Sequence, residues 1–241
     1  MPVTITIITV CYNASAVIAR TLRSVAVQTY PHIQHLVIDG ASKDDTLAVV
    51  SALAPHAEVY SEPDRGIYDA MNKGLRHATG DYVWFLNAGD ALPEANTVER
   101  MLAEACQGEL PDVIYGDCLL IDAEDHILGP RRLRPPHELS WKSFRAGMLV
   151  CHQSFVPKRS LCPEYDMRYR FSADVDWCIR VMQRAERYAR IDAPLSLYLH
   201  EGATTANHRR SLMERFDVMR RHYGLFSTIL QHIRFIFDRN R

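Results

Sequence analysis

The sequence predicts an α/β protein built on a mostly parallel central sheet with helices on both faces. Short β-branched or aromatic runs alternate with segments of helical apolar spacing four times in residues 3–90. Polar residues follow each run, and in open α/β sheets ligands bind at that end of the strands. The 241 residues, 47% hydrophobic and 24% charged, suit one globular domain with a C-terminal appendage.

The first half of the chain predicts four strands in order, over residues 3–10, 33–38, 57–60 and 82–86. Ser15 caps the first helix, and residues 43–46 open the second. The third helix has apolar residues three or four apart, among them Ile67 and Met71, and Gly80 stops it. This helix is followed by the buried strand over residues 82–86, and the polar segment after that strand ends at Asp90.

The alternation loosens after Asp90. The pattern predicts helices over residues 96–106 and from Asp174 through Met182, one long strand or a strand pair over 112–121, and shorter strands over 149–156, 188–191 and 195–200. Residues 128–147 are rich in Pro, Arg and His and lack a clear period, which indicates a loop that folds over a ligand.

The C-terminal segment, residues 206–241, predicts a basic helical extension of a domain formed by residues 1–205. A helix over 208–223 ends at Gly224, and an apolar stripe follows. The stripe consists of Phe226, Ile229, Leu230, Ile233, Ile236 and Phe237. Residues 209–241 hold eight Arg against three acidic residues, a net charge of +5. Such a helix lies at a membrane surface or packs on the body or a partner, and both interpretations stay open.

Composition and missing motifs exclude several classes. The net charge of −1 gives no indication of nucleic acid binding. The six cysteines form no CxxC pair or zinc spacing, which favours a reducing compartment, and Cys151-His152 would point apart on a strand. The first ten residues predict a strand rather than a signal peptide, and no apolar run reaches ~20 residues, so a cytoplasmic protein without a membrane span is expected. GxGxxG, GxxxxGK[ST], GxSxG and HExxH are all missing.

Four segments in order carry a family resemblance: TVCYN at 9–13, DGASKDDT at 39–46, DRGIYDAMNKG at 64–74 and GDYVWFLNAGD at 80–90. They resemble family 2 glycosyltransferases of the GT-A fold, and especially the bacterial enzymes that build O-antigen and exopolysaccharide repeat units. The resemblance implies a Rossmann-like GT-A domain. Residues 1–90 would bind a nucleotide sugar, and residues 91–205 would bind the acceptor.

The resemblance implies a donor pocket at the carboxyl edge of the sheet. Its residues would be Thr9, Tyr12, Asp39, Arg65, Asn72, Lys73 and Asn87. Thr9 and Tyr12 would lie at the nucleobase, Asp39 would accept a hydrogen bond from its polar edge, and Arg65 would lie near the diphosphate or sugar. Uracil and thymine offer a suitable imide N–H, which favours a UDP-sugar, although guanine also offers donors.

The resemblance also implies a divalent cation, Mn²⁺ or Mg²⁺, that neutralises the diphosphate. The family's Asp-x-Asp motif is replaced here by Asn87-Ala88-Gly89-Asp90, so Asp90 is the remaining carboxylate. One carboxylate holds such a cation more weakly than two. His200 is the candidate second ligand, with a surface histidine at a strand end as the alternative.

The acceptor half would supply the base. Asp174 matches the family's acidic motif and would take the proton of the acceptor hydroxyl, which gives inversion at the anomeric carbon. Asp176 is its rival, and residues two apart on a helix do not share a face. Both aspartates could instead cap the helix at its positive end. His152 and Gln153 resemble a segment that lines the acceptor side, and Asp176 would lie on that side too.

The sequence therefore predicts an inverting glycosyltransferase that uses a nucleotide sugar and a glycan or lipid-linked acceptor in bacterial surface polysaccharide synthesis, with peripheral contact at the cytoplasmic face of the inner membrane. A noncatalytic GT-A-like module that binds a nucleotide sugar or glycan is the alternative. A sugar-1-phosphate nucleotidyltransferase or a dehydrogenase would need a glycine-rich loop after the first strand, and residues 11–15 do not provide one.

Overall fold

A computed structural model describes residues 2–106, 108–200 and 208–238. The first sheet has four parallel strands in the order β3-β2-β1-β4. These strands are β1 (Ile5–Cys11), β2 (Ile33–Asp39), β3 (Glu58–Ser61) and β4 (Tyr82–Phe85). The helices between them are α1 (Ile18–Ala26), α2 (Thr46–Leu53) and α3 (Ile67–His77). The predicted alternation of strands and helices in this half is confirmed.

Helices cover both faces of this sheet because successive side chains of β1 point to opposite sides. Ile8 and Val10 pack in one core cluster with Met71 of α3, whereas Ile7 packs in a second cluster with Val25 of α1. All seven residues of β1 are buried, as expected for a central parallel strand. Gly74 lets α3 approach closely, since a Cβ there would lie 2.5 Å from the side chain of Ile8.

The second sheet is organised around β5 (Val113–Ile121). It pairs antiparallel with β6 (Ile127–Pro130) and β7 (Phe155–Pro157), and parallel with β8 (Tyr188–Leu199). Isolated bridges join the two sheets, from Tyr82 to Lys158 and from Ala91 to Leu197. The helix α4 (Thr97–Ala105) connects them, and α5 (Ala173–Met182) packs on the cluster that contains Phe85.

Two predictions for this half need correction. The strand predicted over 149–156 is a 3-10 turn, His152–Ser154, followed by the three residues of β7. The two strands predicted over 188–191 and 195–200 are one strand, β8, whose pairing with β5 shifts register between Gly116 and Cys118. An irregularity in pairing interrupts the sequence pattern without ending the strand.

The C-terminal helices are α6 (His208–Tyr223) and α7 (Leu225–Asp238). Val218 and Met219 of α6 are fully buried, so this helix is packed into the body. In α7, Thr228 is buried while Phe226 is 85% exposed. The side chains predicted to extend the stripe at Ile236 and Phe237 lie outside those the structure describes. Within the described ranges, no helix combines the length and apolar character needed to cross a membrane.

Candidate active site

A cavity of about 670 Å³ opens beyond the end of β4, between the two sheets and α5. Its wall combines the start of α3, the chain after β4, the segment after β6, the 3-10 turn at 152, the start of α5 and the end of β8. The principal polar residues in this wall are Tyr68, Asn87, Asp90, Arg131, Arg132, His152, Gln153, Asp174, Tyr198, His200 and Arg215. Both halves of the chain therefore contribute to one site.

The two aspartates of α5 point in different directions. Asp174 is half-buried in the cavity wall, and its Oδ1 accepts a hydrogen bond of 3.1 Å from the Tyr68 hydroxyl. Asp176 is buried outside the cavity, where it binds Nε of Arg180 and Nε2 of His222, each at 2.7 Å. Residues two apart on a helix face different sides, so only Asp174 is available to a ligand in the cavity.

The segment after β4 presents oxygen atoms with unequal environments. Oδ1 of Asn87 is buried and has no hydrogen-bond partner within the described residues. Asp90 is bonded through both oxygens, with Nε2 of Gln153 donating at 2.9 Å and the backbone N–H of Leu199 at 3.0 Å. Burial raises the pKa of Asp90 well above its ordinary value. Asp90 thus fastens the end of β4 to the end of β8.

The structure brings Asn87, Asp90 and His200, the residues of the predicted cation site, into one cavity wall. The orphaned Asn87 oxygen and the carboxyl oxygens of Asp90 are hard ligands of the kind Mg²⁺ and Mn²⁺ prefer, and the charge of a bound cation would offset the burial that raises the pKa of Asp90. Phosphate oxygens of a donor would complete the shell. A second group, which sequence reasoning missed, comprises Asp122, Glu124 and His126, with ligand atoms within 4.8 Å of one another. It lies on the β5–β6 turn and does not line the cavity.

The predicted nucleobase site lies at the ends of β1 and β2, outside this cavity. Asp39 is buried and accepts hydrogen bonds from Ser61 Oγ at 2.6 Å and from the N–H of Ser42 at 3.0 Å. Burial alone would raise the pKa of Asp39, but the hydrogen bonds from Ser42 and Ser61 outweigh it and lower the pKa. Tyr12 is 60% exposed beside Gly40, so its ring is accessible to a planar ligand.

The structure corrects two predicted donor contacts. Thr9 is fully buried with its Oγ1 3.1 Å from Nε2 of His35, and it faces no open space. Asn72 is 2% exposed, and its side-chain amide is bonded to the backbone of Tyr165 through both its nitrogen and its oxygen. Each side chain therefore makes its hydrogen bonds inside the protein, because a buried polar group needs a hydrogen-bond partner.

Lys73 and Arg65 act around the loop before α3. Nζ of Lys73 donates to the carbonyl of Pro63 at 2.7 Å and pairs with Glu62 at 3.0 Å, so it shapes this loop. Arg65 pairs with Asp69 at 3.2 Å, and its side chain is 77% exposed. Arg65 is accessible from solvent, but neither residue lines the cavity beyond β4.

Two of the predicted acceptor-side residues, His152 and Gln153, line the cavity. His152 lies 2.7 Å from the Tyr165 hydroxyl through Nε2, and its ring packs near Phe85 and Trp177. Burial lowers the pKa of His152 to about 4, so the imidazole is neutral near pH 7. Gln153 donates a hydrogen bond to Asp90 through Nε2 and accepts one from Cys151 Sγ at 3.1 Å.

Three arginines in the wall were not singled out from the sequence. Arg131 and Arg132 follow β6 in the segment predicted to fold over a ligand, and Arg215 lies on α6. The run PRRLR at 130–134 was the available sequence signal for the first two. Arg215 is remote in sequence, and only the packing of α6 brings it to the cavity.

Comparison with known proteins adds independent findings. The model of the family described as "Glycosyl transferase family 2" matches residues 6–164. An uncharacterized glycosyltransferase of Mycobacterium tuberculosis is 36% identical over 184 residues, covering 73% of this chain and 68% of that protein. A PGL/p-HBAD biosynthesis glycosyltransferase of Mycobacterium bovis is 34% identical over 175 residues, covering 70% and 65%. The amylovoran biosynthesis glycosyltransferase AmsB of Erwinia amylovora is 29% identical over 206 residues, covering 78% and 66%.

Solved structures give the same fold. TarS 1–349 of S. aureus in complex with UDP-GlcNAc superposes with a TM-score of 0.69 at 18% identity, covering 90% of this chain and 64% of that one. The mannosyltransferase PcManGT of Pyrobaculum calidifontis, in complex with GDP-Man and Mn²⁺, gives 0.67 at 19% identity, covering 92% and 65%. The predicted GT-A fold is confirmed. The chain spans about two thirds of the length of these relatives.

Proposed function

Because the chain belongs to glycosyl transferase family 2, we propose that it moves a sugar from a nucleotide sugar to a glycan acceptor in bacterial surface polysaccharide synthesis. The observation that carries this proposal is the shared cavity. It brings the carboxylate of Asp174 together with the oxygens of Asn87 and Asp90. Direct transfer of a sugar requires a catalytic base for the acceptor hydroxyl and groups that stabilise the leaving diphosphate.

In the proposed reaction, Asp174 accepts the proton of the acceptor hydroxyl while that oxygen attacks the anomeric carbon of the donor. The new glycosidic C–O bond forms as the bond to the nucleoside diphosphate breaks, and the electron pair leaves with the diphosphate. A single displacement inverts the configuration at that carbon. Tyr68 holds the Asp174 carboxylate by its 3.1 Å hydrogen bond and so orients the base.

On the donor side, the exposed ring of Tyr12 would stack on the nucleobase, and the buried Asp39, bonded to Ser42 and Ser61, would hold the loop beside it. A UDP-sugar remains the expected donor. Asn87, Asp90 and His200 would hold a divalent cation together with the donor phosphates. When bound, that ion neutralises the diphosphate leaving group. The contacts of Mn²⁺ and GDP-Man in PcManGT and of UDP-GlcNAc in TarS belong to those proteins, and they support a nucleotide-sugar donor here by similarity of fold.

The test is nucleotide release. The protein is incubated with UDP-, GDP- and dTDP-sugars and Mn²⁺, with and without a bacterial membrane lipid extract, and the anomeric configuration of any product is determined by NMR. Release of one nucleotide that the extract stimulates, with an inverted product, is the expected result. Nucleotide binding without release from any donor would favour the noncatalytic module instead.

We further propose that the acceptor is lipid-linked and that α7 touches the cytoplasmic face of the inner membrane. Apolar side chains on this helix are open to solvent, with Phe226 85% and Leu230 69% exposed. Residues 209–241 carry the net charge of +5, which attracts anionic lipid.

Co-sedimentation with anionic liposomes tests this contact. Deleting residues 225–241, or replacing Phe226 and Leu230 with Asp, should abolish most of the sedimentation. Ile127→Asp is the matched control, because Ile127 is 62% exposed on the β6 strand and away from α7. Equal sedimentation of all variants would contradict the membrane contact and leave packing against a partner.

A further inference from the structure

The acceptor side of the cavity contains a group of cationic side chains with no assigned role. Arg131 and Arg132 leave the end of β6, and Arg215 reaches the same cavity from α6. These elements lie after residue 90 and belong to the part of the chain that also supplies Asp174. We call the three side chains the arginine wall.

Two residues of the arginine wall have buried nitrogen atoms that make no hydrogen bond within the described residues. Nη1 of Arg131 and Nε of Arg215 have no hydrogen-bond partner within the described residues, although Arg131 donates through Nη2 to the carbonyl of Met148 at 3.2 Å. Among those residues, none of the three arginines forms an ion pair. The Nε atoms of Arg100, Arg145 and Arg190 are also buried without partners in the described structure, but those residues do not line the cavity. Arg131 and Arg215 differ from them in lining a cavity where a ligand can bond the free donors, and a buried donor left unbonded destabilises a protein.

Arg134, three residues after Arg131, has a structural role instead. It forms a two-pronged contact with Asp117, with Nε 2.9 Å from Oδ1 and Nη2 bonded to Oδ2. Asp117 lies on β5, so this contact fixes the segment after β6 to the second sheet. Arg131 is thereby held in the cavity wall while its own Nη1 stays free for an anion.

The charges in the cavity also favour an anion. Three guanidinium groups share the wall with two carboxylates, those of Asp90 and Asp174. Asp90 already accepts hydrogen bonds from Gln153 and Leu199, and Asp174 accepts one from Tyr68. Guanidinium groups bind phosphate oxygens through paired N–H donors with a geometry that a neutral hydroxyl cannot match.

We propose that Arg131 and Arg215, with Arg132 at the rim, form a phosphoryl-binding subsite for the acceptor. The acceptor would then be a phosphate- or diphosphate-bearing molecule whose hydroxyl is presented to Asp174. This inference rests on the proposed glycosyltransferase function. It assigns the arginines to the acceptor because the donor diphosphate already has the oxygens after β4 and their cation.

The experiment uses octyl phosphate, below its micelle concentration, as the acceptor probe, with octanol as its neutral counterpart. Binding is measured by calorimetry with and without a saturating nucleoside diphosphate (UDP, GDP or dTDP, whichever binds) and Mg²⁺. Octyl phosphate should bind the nucleotide-loaded protein, and Arg131→Gln or Arg215→Gln should weaken it about tenfold or more. Arg131→Lys, which keeps the charge but loses the fork, should have an intermediate effect.

The matched control is Arg210→Gln, an exposed arginine on the same helix as Arg215 that does not line the cavity. It should leave octyl phosphate binding unchanged. Thermal unfolding verifies that each variant is folded. Nucleoside diphosphate affinity should stay within about twofold of wild type in every variant.

Two results would overturn the proposal. One is equal octyl phosphate affinity in wild type, Arg131→Gln and Arg215→Gln. The other is that nucleoside diphosphate and octyl phosphate compete for binding, and that both substitutions weaken binding of the nucleoside diphosphate but not of the nucleoside. That result would assign the arginines to the donor. Failure of the wild type to bind any nucleoside diphosphate would count against the proposed function, whereas the measurements without nucleotide still decide the subsite.

Discussion

The donor and acceptor parts of the site treat their polar groups differently. On the donor side, the carboxylates of Asp39 and Asp90 are each bonded through both oxygens to neighbouring residues. On the acceptor side, Arg131 and Arg215 keep buried donor atoms without partners in the described structure. The donor-side carboxylates are thus held by the protein itself, whereas Arg131 and Arg215, like Oδ1 of Asn87 at the proposed cation site, keep atoms that a ligand can bond. Substitutions on the two sides should therefore fail in different ways.

The largest expected effect separates the two aspartates of α5. Asp174→Asn should reduce transfer about 1,000-fold, because an amide cannot accept the hydroxyl proton, while nucleotide affinity stays near wild type. Transfer is measured as nucleotide release and affinity by calorimetry. Asp176→Asn should instead lower the free energy of unfolding by about 2 kcal/mol, since it weakens charged hydrogen bonds to Arg180 and His222, and should retain most of the transfer. The opposite pattern would make Asp176 the base.

The next effect concerns the donor side. Asp90→Asn should lower transfer about 100-fold and raise the Mn²⁺ concentration needed for half-maximal rate, because the last carboxylate of the predicted cation site is removed. A manganese titration of the initial rate checks this. Asp45→Asn, an exposed carboxylate before α2, should change neither quantity. An unchanged manganese requirement in Asp90→Asn would remove Asp90 from the cation site.

The third effect is on stability and follows from His152. Its pKa is about 4 in the folded protein against an ordinary 6.5, so between these values the unfolded chain binds a proton that the folded protein does not. Stability is therefore lost as the pH falls below about 6.5. Between pH 7 and pH 5 this loss should be about 2 kcal/mol smaller in His152→Gln than in wild type.

Urea unfolding at the two pH values measures that difference. His56→Gln, which changes an exposed histidine, should behave as wild type. If His152→Gln lost as much stability as the wild type on acidification, the histidine would be titrating normally and the centre of the cavity would be open to water.

The smallest effect tests how the base is held. Tyr68→Phe removes the hydroxyl that bonds Asp174 and should lower transfer about fivefold, with nucleotide affinity and Mn²⁺ requirement unchanged. Tyr12→Phe is a comparison on the donor side, where the exposed ring is kept, and it should show no loss of rate. A fall in nucleotide affinity in Tyr68→Phe would place Tyr68 on the donor side instead.

Sequence reasoning succeeded where local pattern and chain order decide the structure. The parallel strands β1 to β4 follow from buried runs and helical spacing, and the i+2 rule correctly indicated that Asp174 and Asp176 diverge. It failed where distant packing decides. Asn72 turns inward because its amide matches the backbone of Tyr165, which no local pattern reveals. Arg215 reaches the cavity only through the docking of α6.

The packing of α6 also places one of its side chains against the segment before α5. The carboxylate of Glu214 on α6 accepts the backbone N–H groups of Arg170, Phe171 and Ser172 at 3.1, 2.7 and 3.1 Å. These N–H groups immediately precede α5, so a side chain of α6 fixes the segment that enters the helix carrying Asp174. Hydrogen exchange should therefore find α5 and α6 opening as one cooperative unit, and loosening α6 would release the helix that carries Asp174 with it.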